Sequence, residues 1–128
     1  MAVSNKFGIG RIKSRGSVSA GFTHWKMQRV TAVANVFLVV WFIFSAVSLT
    51  GADYAEVRAW LAAPFATTMM ILLVVSSFWH ARLGLQVVIE DYVHTEGLKI
   101  GVLTALDLLA TALTVACLVA ILKVSVGS

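Results

Sequence analysis

The chain has 128 residues, of which 59% are hydrophobic and 12% charged, with a formal net charge of +4 and a mean hydropathy of +0.91. A water-soluble domain of this size needs far more polar surface, because much of a small domain faces solvent, so the composition excludes one and points to a chain wrapped by lipid or by partner subunits. The single cysteine, Cys117, excludes an internal disulfide and a cysteine-rich metal cluster.

In chain order, residues 1–24 form a basic N-terminal segment ahead of a membrane domain over 25–128. Lys6, Arg11, Lys13, Arg15, Lys26 and Arg29 occur without an acidic residue among them. No short apolar run follows the first basic residues, as a secretory signal would require, so the first apolar block is expected to be an uncleaved anchor. The small residues of 14–21 predict local mobility. Gly8 and Gly10 follow no strand and support no nucleotide site, and no nucleic-acid partner is expected.

Three apolar blocks follow, each near the 20 or so residues a bilayer crossing takes. Residues 30–50 carry no charge, 64–89 are interrupted only by His80 and Arg82, and 100–122 only by Asp107. They lack the period-two alternation of barrel strands, and in hydrocarbon every backbone amide must be paired within its own segment or in a closed barrel. The fold class is therefore an all-α membrane protein of three transmembrane helices. Six positive charges ahead of the first span predict a cytoplasmic N-terminus, and three spans then predict a periplasmic C-terminus. Residues 51–63, with Asp53, Glu56 and Arg58, are expected to be a periplasmic loop and 90–99 a cytoplasmic one. Trp25 and Trp60 fall where interfacial aromatic belts sit.

The second span carries the chemistry. Ionisable groups inside a membrane are costly and are candidates for function. At about 100° per residue, Leu73, Ser76, Ser77, His80, Gly84, Val87 and Asp91 share one stripe. Small residues lie one turn before and after His80, which is the clearance a flat macrocycle bonded to an imidazole needs. The alternative is a histidine hydrogen-bonded to a neighbouring helix through a small-residue packing face. A sole imidazole at this depth is half of a bis-histidine site, so a second ligand would come from another chain. Arg82 lies roughly 200° around from His80; it either snorkels, pairs with an acid of a neighbouring subunit, or meets an anionic cofactor group. Trp79 packs beside a macrocycle or faces lipid.

At the end of that span, Asp91 and Tyr92 put an acid and a phenol at the membrane edge; they are either a common loop dipeptide or a pair that donates to a quinone carbonyl and relays protons. His94 and Glu96 are read as solvated loop residues, and Gly97 as a turn residue before the third span. Ahead of the first span, Arg29 is either a topogenic charge or a guanidinium for a haem propionate. For Asp107, about two turns into the third span, capping, reaching back to the cytoplasmic interface, and pairing with a partner subunit stay open.

The order of these features resembles the smaller hydrophobic membrane anchor of bacterial succinate dehydrogenase (complex II). Residues 77–93 carry His80, Arg82, Gly84, Gln86, then Asp91 and Tyr92, and Arg29, Thr31 and Ala32 open the first helix. The resemblance covers about residues 22–122. It implies that His80 is an axial ligand of haem b and thus of its iron, with Ser77 and Gly84 beside it and Arg29 near a propionate. It implies that Tyr92, with Asp91, contributes to a ubiquinone site. The implied partners are a second anchor (cytochrome b subunit) supplying the other haem ligand, an iron–sulfur subunit and a flavoprotein subunit, in the cell inner membrane. On that reading the chain delivers electrons within a succinate:ubiquinone reductase rather than forming its catalytic core. The second nitrogen of His80 is expected on a serine or backbone carbonyl. The competing functions are a cofactor-free membrane scaffold, and a transporter subunit with His80, Arg82 and Asp107 along a proton path.

Overall fold

The computed structural model describes the backbone of residues 2–127 and the side chains of residues 19–127. Four helices follow one another: α1 (Ala2–Ser48), α2 (Tyr54–Ala62), α3 (Pro64–Tyr92) and α4 (Glu96–Val126). There is no strand among the described residues. Three segments are long and apolar enough to cross a membrane, namely Ser19–Ser48, Pro64–Tyr92 and Glu96–Val126. The all-α, three-span expectation holds.

The helices outrun the apolar blocks. Lipid defines where a span must be apolar, but the backbone keeps its own hydrogen bonds past the interface, so polar residues continue the helix. α1 begins well before the apolar run, and its backbone is helical through 14–21, where small residues predict a mobile segment. The side chains of Lys6, Arg11, Lys13 and Arg15 lie outside the described residues. α3 runs three residues past the expected end, which puts Asp91 and Tyr92 in its last turn.

The loop expected over 51–63 is instead largely α2. Asp53 is its N-cap: the carboxylate Oδ1 accepts from the Glu56 backbone N–H at 2.8 Å, and Glu56 Oε2 accepts from the Asp53 N–H at 2.9 Å. This reciprocal capping box satisfies two amides that a helix start leaves unpaired. Ala63 then turns to extended backbone, and Pro64 opens α3 at a position where its missing N–H costs nothing. Trp60 of α2 stacks on Trp41 of α1 at 5.7 Å between ring centres, and Phe65 meets Trp41 edge-on at 6.2 Å.

α3 is the central helix. α1 and α4 both pack on it, α2 touches α3 and α4 and meets α1 through the Trp41–Trp60 stack, and the backbones of α1 and α4 make no close approach among the described residues. At the α2 end, Thr67 Oγ1 donates to a backbone carbonyl at the α2–α3 corner and lies 3.0 Å from Ser125 Oγ of α4. Only Thr31, Leu38, Ala66, Leu83 and Ile121 are buried among the described residues. Most apolar side chains point outward, as expected where the surroundings are lipid or other subunits rather than water.

Candidate functional site

His80 sits 16 positions after Pro64 and 12 before Tyr92 in α3, hence roughly 18 Å from the Tyr92 end at 1.5 Å per residue. Its ring turns towards α1, where Nδ1 lies 3.0 Å from Thr31 Oγ1. Thr31 is one of the few buried residues, at 7% exposure. Its hydroxyl donates back to the Met27 carbonyl at 2.8 Å and approaches that of Gln28 at 3.2 Å, the local bond that threonines make inside helices. One nitrogen of His80 is thereby held, and Nε2 has no hydrogen-bond partner among the described residues. Tethering to a neighbouring helix uses Nδ1 alone, so it does not compete with a ligand at the other nitrogen.

A cavity of about 460 Å³ and another of about 440 Å³ flank α3. The smaller one opens beside His80 and is lined by His24, Trp25, Gln28, Arg29, Ala32 and Val87 as well. His24, Gln28, Thr31 and Asn35 are spaced by four, three and four residues, which puts them on one face of α1. Three atoms of this stripe, His24 Nε2, Gln28 Oε1 and Asn35 Oδ1, are buried without a hydrogen-bond partner, as is Ser76 Oγ on α3. Burying polar atoms unpaired costs about 1–3 kcal/mol each, so a face that carries several is built to meet something polar. Arg29 adds a cation at the cavity's edge and lies over the Trp25 ring at 5.7 Å.

Of the other expected site residues, Arg29 joins His80 in this cavity, as does Val87 from the His80 stripe. Gly84 lies against α1: a Cβ there would come 3.9 Å from Gln28 Nε2, an ordinary van der Waals distance, so the helix pairing does not itself require glycine. Ser77 is half-buried one turn before His80 and is not part of the cavity lining. Asp91 and Tyr92 are exposed at the end of α3, with Tyr92 at 79%. α1 and α3 run antiparallel, since Thr31 meets His80 and Gln28 meets Gly84. Tyr92 therefore emerges at the same end of the molecule as Arg29.

Arg82 and Asp107 answer each other. Arg82 Nε donates to Asp107 Oδ1 at 2.5 Å, with side chains 29% and 48% exposed, and the guanidinium also lies over Trp79 at 5.6 Å. Of the alternatives open for Arg82, pairing with an acid is the one seen, but the acid is on α4 of the same chain rather than on a neighbouring subunit. His80 faces α1 and Arg82 faces α4, so the three ionisable groups do not line a common path. No group of three or more possible metal-binding side chains occurs among the described residues.

Sequence reasoning missed the role of Thr31, and of His24 and Gln28 beside it. The signal was present as four polar residues at helical spacing in and before an apolar block.

The sequence profile of the succinate dehydrogenase/fumarate reductase transmembrane subunit family matches residues 3–121. A succinate dehydrogenase hydrophobic membrane anchor subunit of Rickettsia bellii (strain RML369-C) is 32% identical over 113 residues, covering 88% of this chain and 90% of its own. The protein of the same description from Rickettsia conorii (strain ATCC VR-613 / Malish 7) is 33% identical over 122 residues, 94% of this chain and 97% of its own. A succinate dehydrogenase membrane anchor subunit of Reclinomonas americana is 30% identical over 84 residues, 63% and 70% of the two chains.

Proposed function

The chain belongs to the succinate dehydrogenase/fumarate reductase transmembrane subunit family, and from that membership we propose that it anchors its complex in the membrane by holding one side of a haem b and one edge of a quinone site. It is a multi-pass membrane anchor subunit of succinate dehydrogenase. The finer reading rests on a single observation: His80 is tied to Thr31 through one nitrogen and leaves the other free beside a cavity lined by unpaired polar groups.

The residues present fit a haem. His80 offers a neutral imidazole nitrogen, a good ligand for iron. Arg29 offers a guanidinium suited to a carboxylate, and His24 and Gln28 offer buried polar atoms on the same face. When bound between two histidines, haem b supplies a one-electron centre with no open iron position for oxygen chemistry. A second histidine would be supplied by a partner anchor, as membership of the family suggests, while His80 would hold the group from this chain. Tyr92 and Asp91, exposed at the Arg29 end, complete a ubiquinone site only together with other subunits. There the phenol O–H donates to a quinone carbonyl oxygen and orients it. The iron–sulfur and flavoprotein subunits dock at that end, which we assign to the cytoplasmic side of the inner membrane.

The test is the reduced-minus-oxidised spectrum of the purified complex. His80→Ala is expected to abolish the b-type band, and a band of full intensity would end this reading. Tyr92→Phe is expected to lower quinone reductase activity about tenfold, the equivalent of one hydrogen bond of about 1.4 kcal/mol, with the haem band unchanged.

A further inference from the structure

We propose that Thr31 is a positioning residue that selects the tautomer of His80 and thereby the nitrogen available to iron; the proposal rests on the haem reading above. A hydroxyl has one proton and two lone pairs. The Thr31 proton is directed to the Met27 carbonyl at 2.8 Å, with that of Gln28 at 3.2 Å on the same side. What Thr31 presents to His80 is then a lone pair, and the 3.0 Å contact is a bond donated by the imidazole Nδ1–H. A neutral imidazole carries one N–H. Once Nδ1 holds it, Nε2 is the bare nitrogen with a lone pair for a metal.

Three consequences follow from this donor assignment. The ring is oriented before any ligand arrives, because Thr31 is buried and its oxygen is anchored to its own helix. The ligand is pre-sorted, because the opposite tautomer would leave Nε2 protonated and unable to bind iron. An acceptor on Nδ1–H also makes the imidazole a stronger donor through Nε2, which favours the oxidised iron and lowers the midpoint potential. The device spans two elements, so it further couples the α1–α3 packing to the ligand's geometry.

The experiment is a redox titration and haem quantification on the purified complex carrying Thr31→Val, Thr31→Ala or Thr31→Ser. Valine keeps the shape and removes the hydroxyl; alanine removes the hydroxyl together with the methyl; serine keeps the hydroxyl and removes the methyl. The expected result is haem content reduced on the order of tenfold in the valine and alanine complexes and a midpoint potential shifted upward in what haem remains. Serine restores both to wild type. Wild-type content and potential in the valine or alanine complex overturn the proposal. So does a shifted potential in Thr31→Ser, even where neither hydroxyl-free variant assembles. His80→Ala in parallel separates the two readings: if haem survives that change, the haem assignment itself fails. If haem depends on His80 but ignores Thr31, only the tautomer proposal falls.

Discussion

Arg82 and Asp107 are opposite charges within two spans, and each makes the other tolerable. Removing one leaves an uncompensated charge against lipid or protein, a loss on the order of 3 kcal/mol, whereas removing both leaves an apolar contact. Arg82→Leu and Asp107→Leu are each expected to lower the melting temperature of the complex clearly, and the double change Arg82→Leu/Asp107→Leu to lower it less than either. Thermal unfolding of the three variants checks this, and a double variant as unstable as the sum of the singles would refute a direct pairing. Both charges were conspicuous in the sequence as interruptions of apolar blocks, but their partnership was not. They are 25 residues apart, and which faces of α3 and α4 meet depends on the packing register, which no single helix's periodicity contains. The same holds for Thr31 and His80, 49 positions apart: the imidazole stood out by its depth, while the hydroxyl it needs looked like one more small polar residue.

Local backbone chemistry settles α2. Its capping box was written in the sequence as Asp53 followed three residues later by Glu56, with Pro64 marking the next start, yet a short segment between two spans that carries Asp53, Glu56 and Arg58 reads as a loop because it is too short to cross a membrane. Asp53→Ala removes the oxygen that accepts from the Glu56 amide and is expected to destabilise α2 by about 1 kcal/mol. Hydrogen exchange of the 54–58 amides should speed up several-fold while α3 stays protected. The effect should remain local, because Trp60 still stacks on Trp41 and the Thr67–Ser125 contact still ties α3 to α4. Helix ends run past the apolar blocks for a related reason. Hydropathy reports where lipid ends, whereas a helix ends where its last carbonyls find other partners, as at Gly127 in the left-handed conformation after α4.

The arrangement of whole helices governs sidedness and self-sufficiency. A bundle in which α1 and α4 both pack on α3, and α2 reaches α1 through Trp60 and also touches α4, with five described residues buried, leaves broad faces for other subunits and for lipid. Three crossings put the two termini on opposite sides of the membrane. The antiparallel α1–α3 pair puts Tyr92 on the N-terminal side, with His80 about 18 Å deeper. The Lys and Arg before the first span, including Lys26 and Arg29, are expected to keep that side in the cytoplasm, because such charges resist translocation. In a Cys117→Ser background, Ser4→Cys is therefore expected to react with an impermeant maleimide only after the cytoplasmic face is opened, and Ser128→Cys to react in intact cells stripped of their outer membrane. The converse labelling would place Tyr92 across the membrane from the cytoplasm. A quinone edge there could not receive electrons from subunits docked on the cytoplasmic face without a far longer path, and the assignment of Tyr92 would fall with the topology.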